Sequence, residues 1–100
     1  MFAVIFKATI RTLDKEYSLY ANQLRDLAMS KYGCIDFVSS CEGNQELAIS
    51  YWVSEQDIAR WRDDPLHKKA QLLGRDKWYV NYTVEVVEVK RSYSSERVVS

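Results

Sequence analysis

The sequence predicts one α+β domain built on an antiparallel sheet with helices on one face. Four stretches alternate their residues with the period of a strand, and the stretches between them repeat apolar residues at steps of three and four. The resulting order is strand, helix, strand, strand, helix, strand. That order is the split βαβ, or ferredoxin-like (βαββαβ), pattern.

The first strand, Phe2–Ile10, sets Phe2, Val4, Phe6, Ala8 and Ile10 on one side and Ala3, Ile5, Lys7 and Thr9 on the other. Both sides are largely apolar. A second layer must therefore cover the face that the helices leave bare, and a second copy of the chain is the expected cover. Thr12 is the expected cap of the first helix, with Asp14 and Glu16 in its first turn near the positive end of the dipole. Leu13, Tyr17, Tyr20, Leu24 and Leu27 then make one apolar stripe that ends near Lys31 and Gly33.

Strands follow over 34–42 and 47–53, joined by Gly43, Asn44 and Gln45 as an antiparallel hairpin. In the second of them Leu47, Ile49, Tyr51 and Val53 face one way, and Ala48, Ser50 and Trp52 the other. Ser54 with Asp57 has the form of a capping box, and Asp64 before Pro65 is a second start signal, so two short helices are expected. The first carries Ile58 and Trp61 inward; the second presents Leu66, Ala70 and Leu73 and stops at Gly74. Residues 78–89 alternate as a long last strand, with Trp78, Val80, Tyr82, Val84 and Val86 on one side and Tyr79, Asn81, Thr83 and Glu85 on the other. The domain is expected over 1–91, with the Ser-rich 92–100 as a tail.

Composition narrows the function. Hydrophobic residues make up 47% and aromatic residues 13%, beside one proline and three glycines, which is the make-up of a packed domain with aromatic side chains to spare for a pocket or an interface. Fourteen basic residues balance 14 acidic ones, so nucleic acid is not an expected partner. The first residues read as a strand with no basic leader, and no apolar run approaches the roughly 20 residues that span a bilayer, so no membrane is expected and the protein is read as cytoplasmic. Cys34 and Cys41, roughly 23 Å apart along an extended strand, are expected as free thiols. One histidine and two distant cysteines supply no metal site, and no glycine-rich phosphate loop is present.

The stretch over 48–82, AISYWVSEQDIARWRDDPLHKKAQLLGRDKWYVNY, resembles the most typical segment of the antibiotic biosynthesis monooxygenase superfamily. There a strand ends in a tryptophan (Trp52), and a helical tryptophan (Trp61), a histidine (His67), an Ala-Gln pair (Ala70, Gln71), a glycine (Gly74) and a Trp-Tyr pair (Trp78, Tyr79) follow. The resemblance implies a dimeric α+β barrel, a homodimer through the sheet face, with a pocket between the sheet and the helices of each subunit. It also implies monooxygenation of an electron-rich aromatic small molecule, a quinol or a polyketide-like compound, without metal or flavin. Such chemistry needs a base for a phenolic or activated C–H proton and a dry pocket in which the anion can reduce oxygen.

His67 is the only histidine and the one side chain whose unperturbed pKa lies near neutrality. It falls in the first turn of the helix opened by Asp64 and Pro65; the helix dipole disfavours the imidazolium there while Asp64 favours it, which leaves the direction of its shift open. Gln71 stands one turn later on the same border of the apolar stripe. His67 and Gln71 are the candidate catalytic residues, and a hydrogen-bonded pair that merely fixes the helix end is the alternative. Trp52, Trp61, Trp78, Tyr51, Tyr82 and Phe6 are the candidate substrate-binding residues, each of which taken singly also suits a core or an interface. Asn81 is expected near the dimer contact.

A haem-degrading branch of the same superfamily uses a first-strand asparagine, a tryptophan and a histidine. Trp61 matches the tryptophan, but Lys7 stands at the asparagine position and Gln71 at the histidine position, so haem is disfavoured and no cofactor is expected. The rival to an enzyme is a non-enzymatic dimeric barrel that binds a small apolar ligand or a partner protein, with His67 purely structural.

Overall fold

The structure, a computed structural model, describes residues 1–96; the rest of the expected tail lies outside the described residues. In chain order the elements are β1 (Phe2–Ile10), α1 (Lys15–Ser30), β2 (Cys34–Glu42), β3 (Gln45–Trp52), α2 (Glu55–Arg62), α3 (Pro65–Leu73), a π-helical turn (Gly74–Trp78) and β4 (Tyr79–Glu88). The four strands form one antiparallel sheet in the order β2-β3-β1-β4, which is the ferredoxin-like arrangement that the element order predicts. Among the described residues no helix is long and apolar enough to cross a membrane. Cys34 is buried and Cys41 exposed, both as free thiols.

Local signals account for most boundaries. Ser54 Oγ accepts from the Asp57 amide at 3.2 Å, and Asp64 Oδ1 accepts from the Leu66 amide at 2.9 Å with Pro65 in the first turn. Gly43, at φ 60°, and Asn44 alone close the hairpin, so Gln45 belongs to β3 and the strand starts two residues earlier than its apolar run.

Three expectations are corrected. Asp14, not Thr12, caps α1, its Oδ1 accepting the Tyr17 amide at 2.9 Å, because the Arg11 and Thr12 amides both reach the Trp78 carbonyl (2.7 and 3.3 Å) and hold the chain extended past Leu13. Leu13 therefore drops out of the helical stripe and lies exposed. Gly74 does not end the helical path either, since α3 widens there into the π-helical turn that runs to Trp78. Finally, a β-bulge breaks the alternation of β4: Ile10 pairs with Tyr79 but Thr9 with Asn81, so Val80 is an extra residue and Tyr79 turns onto the helix face with Tyr82.

The helix face of the sheet carries Val4, Phe6 and Ala8, with Glu46, Ala48, Ser50 and Trp52 beside them on β3. Two clusters fix the helices, the first against this face and the second among the helices themselves. One cluster gathers Val4, Ala28, Cys34, Trp52, Ile58 and Trp61, and the other Tyr20, Ala70 and Trp78. Trp52 is wholly buried, a position where truncation of the indole to alanine costs about 3–5 kcal/mol. Among the described residues the opposite face has no helix, and Val38, Leu47 and Val87 on it are 49%, 38% and 37% exposed.

Asp14 ties the two ends of the chain's helical layer, since the same Oδ1 that caps α1 also accepts from Trp78 Nε1 at 3.1 Å and Oδ2 meets Lys77 Nζ at 2.7 Å. Asp14→Ala should lower the urea midpoint clearly more than Asp14→Asn, which keeps an acceptor for Tyr17 and Trp78 and gives up only the charge. Equal losses would assign the stabilisation to the Lys77 ion pair instead.

Candidate functional site

Between the two clusters the helices stand off the sheet because the residues that face each other there are small. Ala48 and Ser50 lie on β3, Ala21 on α1, and Ala70 and Gly74 on α3 and the turn after it. The result is a cavity of about 700 Å³, within the size range of small-molecule sites, bounded by the sheet and by α1, α2 and α3.

Trp61 forms its wall at the α2 end. The Trp61 Nε1–H donates to the Leu24 carbonyl at 3.1 Å, which fixes the ring against Trp52 (centroids 5.3 Å) and Phe37 (6.1 Å). His67 sits edge-on to the Trp61 ring at 4.5 Å and 79°. Its Nδ1 is buried without a hydrogen-bond partner, so the pairing with Gln71 that would merely fix a helix end is not made through that nitrogen. Burial lowers the His67 pKa below its ordinary value; its own backbone carbonyl and Asp64 oppose the shift, and Arg62 adds to it. Protonation would bury both a charge and an unpaired N–H. Asp64 is itself engaged by the Tyr32 hydroxyl at 2.6 Å and capped onto the Leu66 amide, both of which lower its pKa.

Glu46 marks a second polar feature. It is only 7% exposed, and its Oε2 accepts a hydrogen bond from the Tyr79 hydroxyl at 2.7 Å. Burial raises the carboxyl pKa, which the Tyr79 bond opposes; the Tyr79 phenol is pushed far above its usual range, first by burial and then by Glu46. Among the described residues no cation pairs with Glu46. Phe6, Tyr79 and Tyr82 enclose this end, with centroids 5.4, 5.7 and 6.2 Å apart. Tyr79 reaches it across Gly74, where a Cβ would stand 3.1 Å from the Tyr79 ring, tighter than side chains normally tolerate.

The structure brings together Phe6, Trp61, His67, Gln71 and Tyr82 of the residues singled out by sequence. Three others lie elsewhere. Trp52 is core beneath Trp61, its Nε1–H donating to Ser50 Oγ at 2.8 Å, and Trp78 is core of the second cluster. Tyr51 faces the helix-free side opposite Ala3. Strand parity already held that signal, because Tyr51 and Trp52 are adjacent in β3 and cannot share a face. Lys7 also looks out on the helix-free side, 3.8 Å from Glu85, so the β1 residues that meet the cavity are the apolar Val4 and Phe6. Glu46 was missed because its apolar neighbours begin at Leu47; counted back in steps of two from Trp52, it falls on the cavity face. Among the described residues no group of three or more His, Cys, Asp or Glu could hold a metal ion.

No family model matches the chain. Over 91 residues it is 33% identical to the uncharacterized protein YqjZ of Bacillus subtilis (strain 168), an alignment that spans 90% of this chain and 80% of that protein. It is 32% identical over 104 residues to the jasmonate monooxygenase ABM of Pyricularia oryzae, covering 98% of this chain but 47% of that relative's length. Among solved structures, the cofactor-independent oxygenase SnoaB from Streptomyces nogalater superposes with a TM-score of 0.77 over 94% of this chain and 97% of SnoaB, at 11% identity, a likeness of fold.

The burial of His67 gives a pH dependence. A folded-state pKa below the unfolded 6.5 means that the native protein binds fewer protons than the unfolded chain, so the contribution to stability is present above pH 6.5 and is lost as the pH falls through the folded value. Proton NMR of this single imidazole should show an apparent pKa below 6.5. A value at or above 6.5 would contradict its placement against Trp61.

Proposed function

From the premise that the chain belongs to the antibiotic biosynthesis monooxygenase superfamily, we propose that it is a cofactor-independent monooxygenase of an electron-rich aromatic small molecule, a quinol or a polyketide-like compound. The observation that carries this reading is the lone imidazole, His67, half-buried and edge-on to Trp61 on the wall of an aromatic-lined cavity, where burial lowers its pKa and favours the base form. Trp61, Phe6 and Tyr82 supply flat apolar surface for a ring system, and Gln71 lines the same cavity one turn beyond His67 to orient a substrate oxygen.

For an activated ring methylene the steps balance as follows. His67 takes one C–H proton; the carbanion passes an electron to dioxygen; and the radical pair combines to form a C–O bond. The peroxide receives the proton back from the imidazolium. Loss of the second C–H proton then drives cleavage of the O–O bond, leaving one oxygen in the carbonyl product and the other in water. Substrate and dioxygen are the only redox partners this scheme requires. The haem alternative gains nothing from the site, where the β1 position is the apolar Phe6.

Assembly belongs to the same proposal. The helix-free face, with Ile5, Ile49, Leu47, Val38 and Val87, suits a second copy packed sheet to sheet, which makes a homodimeric barrel. Cytoplasmic residence is proposed on the two unlinked thiols.

Two measurements test the proposal. Oxygen uptake with a panel of quinols and of anthrone-like compounds that carry an activated ring methylene should be present in the parent and fall about a hundred- to ten-thousand-fold in His67→Ala. Uptake unchanged by that substitution would remove His67 as the base, and no uptake in either protein would favour a non-enzymatic binding barrel. Light scattering at micromolar concentration should give twice the chain mass, and Leu47→Asp should shift it towards the monomer; a monomeric parent would overturn the barrel.

A further inference from the structure

The reaction scheme uses His67 and leaves the most deeply buried charged side chain of the cavity without a task. Glu46 stands opposite Ala8 in the last β1–β3 pair but one, beside the β2–β3 hairpin, where its side chain joins the helix face. One oxygen is occupied by Tyr79. The other, Oε1, has no protein partner, yet it is not sealed off, since the only sealed and unpartnered side-chain nitrogen or oxygen among the described residues is His67 Nδ1. Oε1 therefore keeps accessible surface, and Glu46 lines the cavity.

We propose that Glu46 and Tyr79 form a ligand-anchoring subsite, at which Oε1 of Glu46 accepts a hydrogen bond from a hydroxyl group of the bound molecule. A buried carboxylate with no cation and one phenol donor is under-solvated, and a second donor completes its shell with a charge-assisted bond. An ether oxygen offers no proton and forfeits that bond, and an anionic group would be repelled. Tyr79 sets the direction: its hydroxyl holds Oε2, and its ring, lodged over Gly74 and beside Phe6, leaves Oε1 as the free acceptor. The three rings around the carboxylate fit a flat aromatic carrier for the hydroxyl. The inference deepens the aromatic-substrate reading and rests on it: among flat aromatic molecules the cavity selects those with a free phenolic hydroxyl at the Glu46 end.

The test is anaerobic binding of 1,4-dihydroxynaphthalene and of its dimethyl ether, 1,4-dimethoxynaphthalene, followed by tryptophan fluorescence through Trp61. The parent should prefer the diol by about tenfold, the worth of one charge-assisted hydrogen bond. In Glu46→Leu the preference should vanish, in Glu46→Gln it should shrink, and in Tyr79→Phe, which frees Oε2, it should persist. Circular dichroism checks each fold, and if Glu46→Leu fails to fold, Glu46→Gln decides. A preference unchanged by Glu46→Gln, or no binding of either probe to the parent, overturns the subsite. Aerobic oxygen uptake on the same samples separates the two readings. Glu46-dependent selectivity without uptake sinks the oxygenase and leaves the anchor, whereas uptake with unaltered selectivity does the reverse.

Discussion

Everything in this molecule depends on the helices being fixed at two places and kept off the sheet between them. The holding groups are tryptophans. Trp61 is locked to the Leu24 carbonyl of α1 and packed at a tilt against Trp52, while Trp78 is locked to Asp14 at the other end of the same helix. Each buried indole has its one N–H satisfied, so it acts as a rigid spacer and not as mobile filling. The small residues Ala48, Ser50, Ala21 and Ala70 then fail to bridge the gap, and a cavity remains where a larger pair of side chains would have made core.

Burial acts on the two titratable groups of that cavity in opposite directions, for one reason. Low polarity penalises whichever form carries charge, so it lowers the pKa of His67 and raises that of Glu46, and the two values are drawn towards each other. His67 is thereby kept as a neutral base beside Trp61. Glu46 retains its proton more readily than an exposed carboxylate, and any donor that approaches Oε1 favours the charged form again. A ligand hydroxyl would thus change the ionisation of the subsite as it binds. The Tyr79 phenol, in contrast, stays protonated at all ordinary pH values and remains a donor.

The fold was legible from periodicity and caps, the cavity much less so. Ser54, Asp57, Asp64 and Pro65 start two helices where local chemistry says they should, because a cap is a contact between residues two or three positions apart. Thr12 fails as a cap for a non-local reason: its amide is committed to the Trp78 carbonyl, 66 positions away in the chain. The bulge at Val80 is similarly invisible to alternation, and it alone turns Tyr79 from the bare face to the cavity. Tyr51 shows the converse case. Its parity was readable, but its aromatic character drew it into a list of pocket residues that strand geometry forbids.

These observations also bear on how far relatives can inform the chemistry. The architecture is shared with SnoaB at 11% identity, so it does not depend on most of the residues of this sequence. The surface between the spacers is under no such requirement. A change at Ala48 alters the volume and one at Glu46 alters the polarity, and neither residue belongs to the clusters that set the helices in place, whereas Ser50 also holds the Trp52 indole. Architecture and selectivity therefore sit on different residues of the same strand: Trp52 serves the first and Glu46 the second, six positions and about 20 Å apart. In this chain the tryptophans place the helices, and what lies between them lines the cavity.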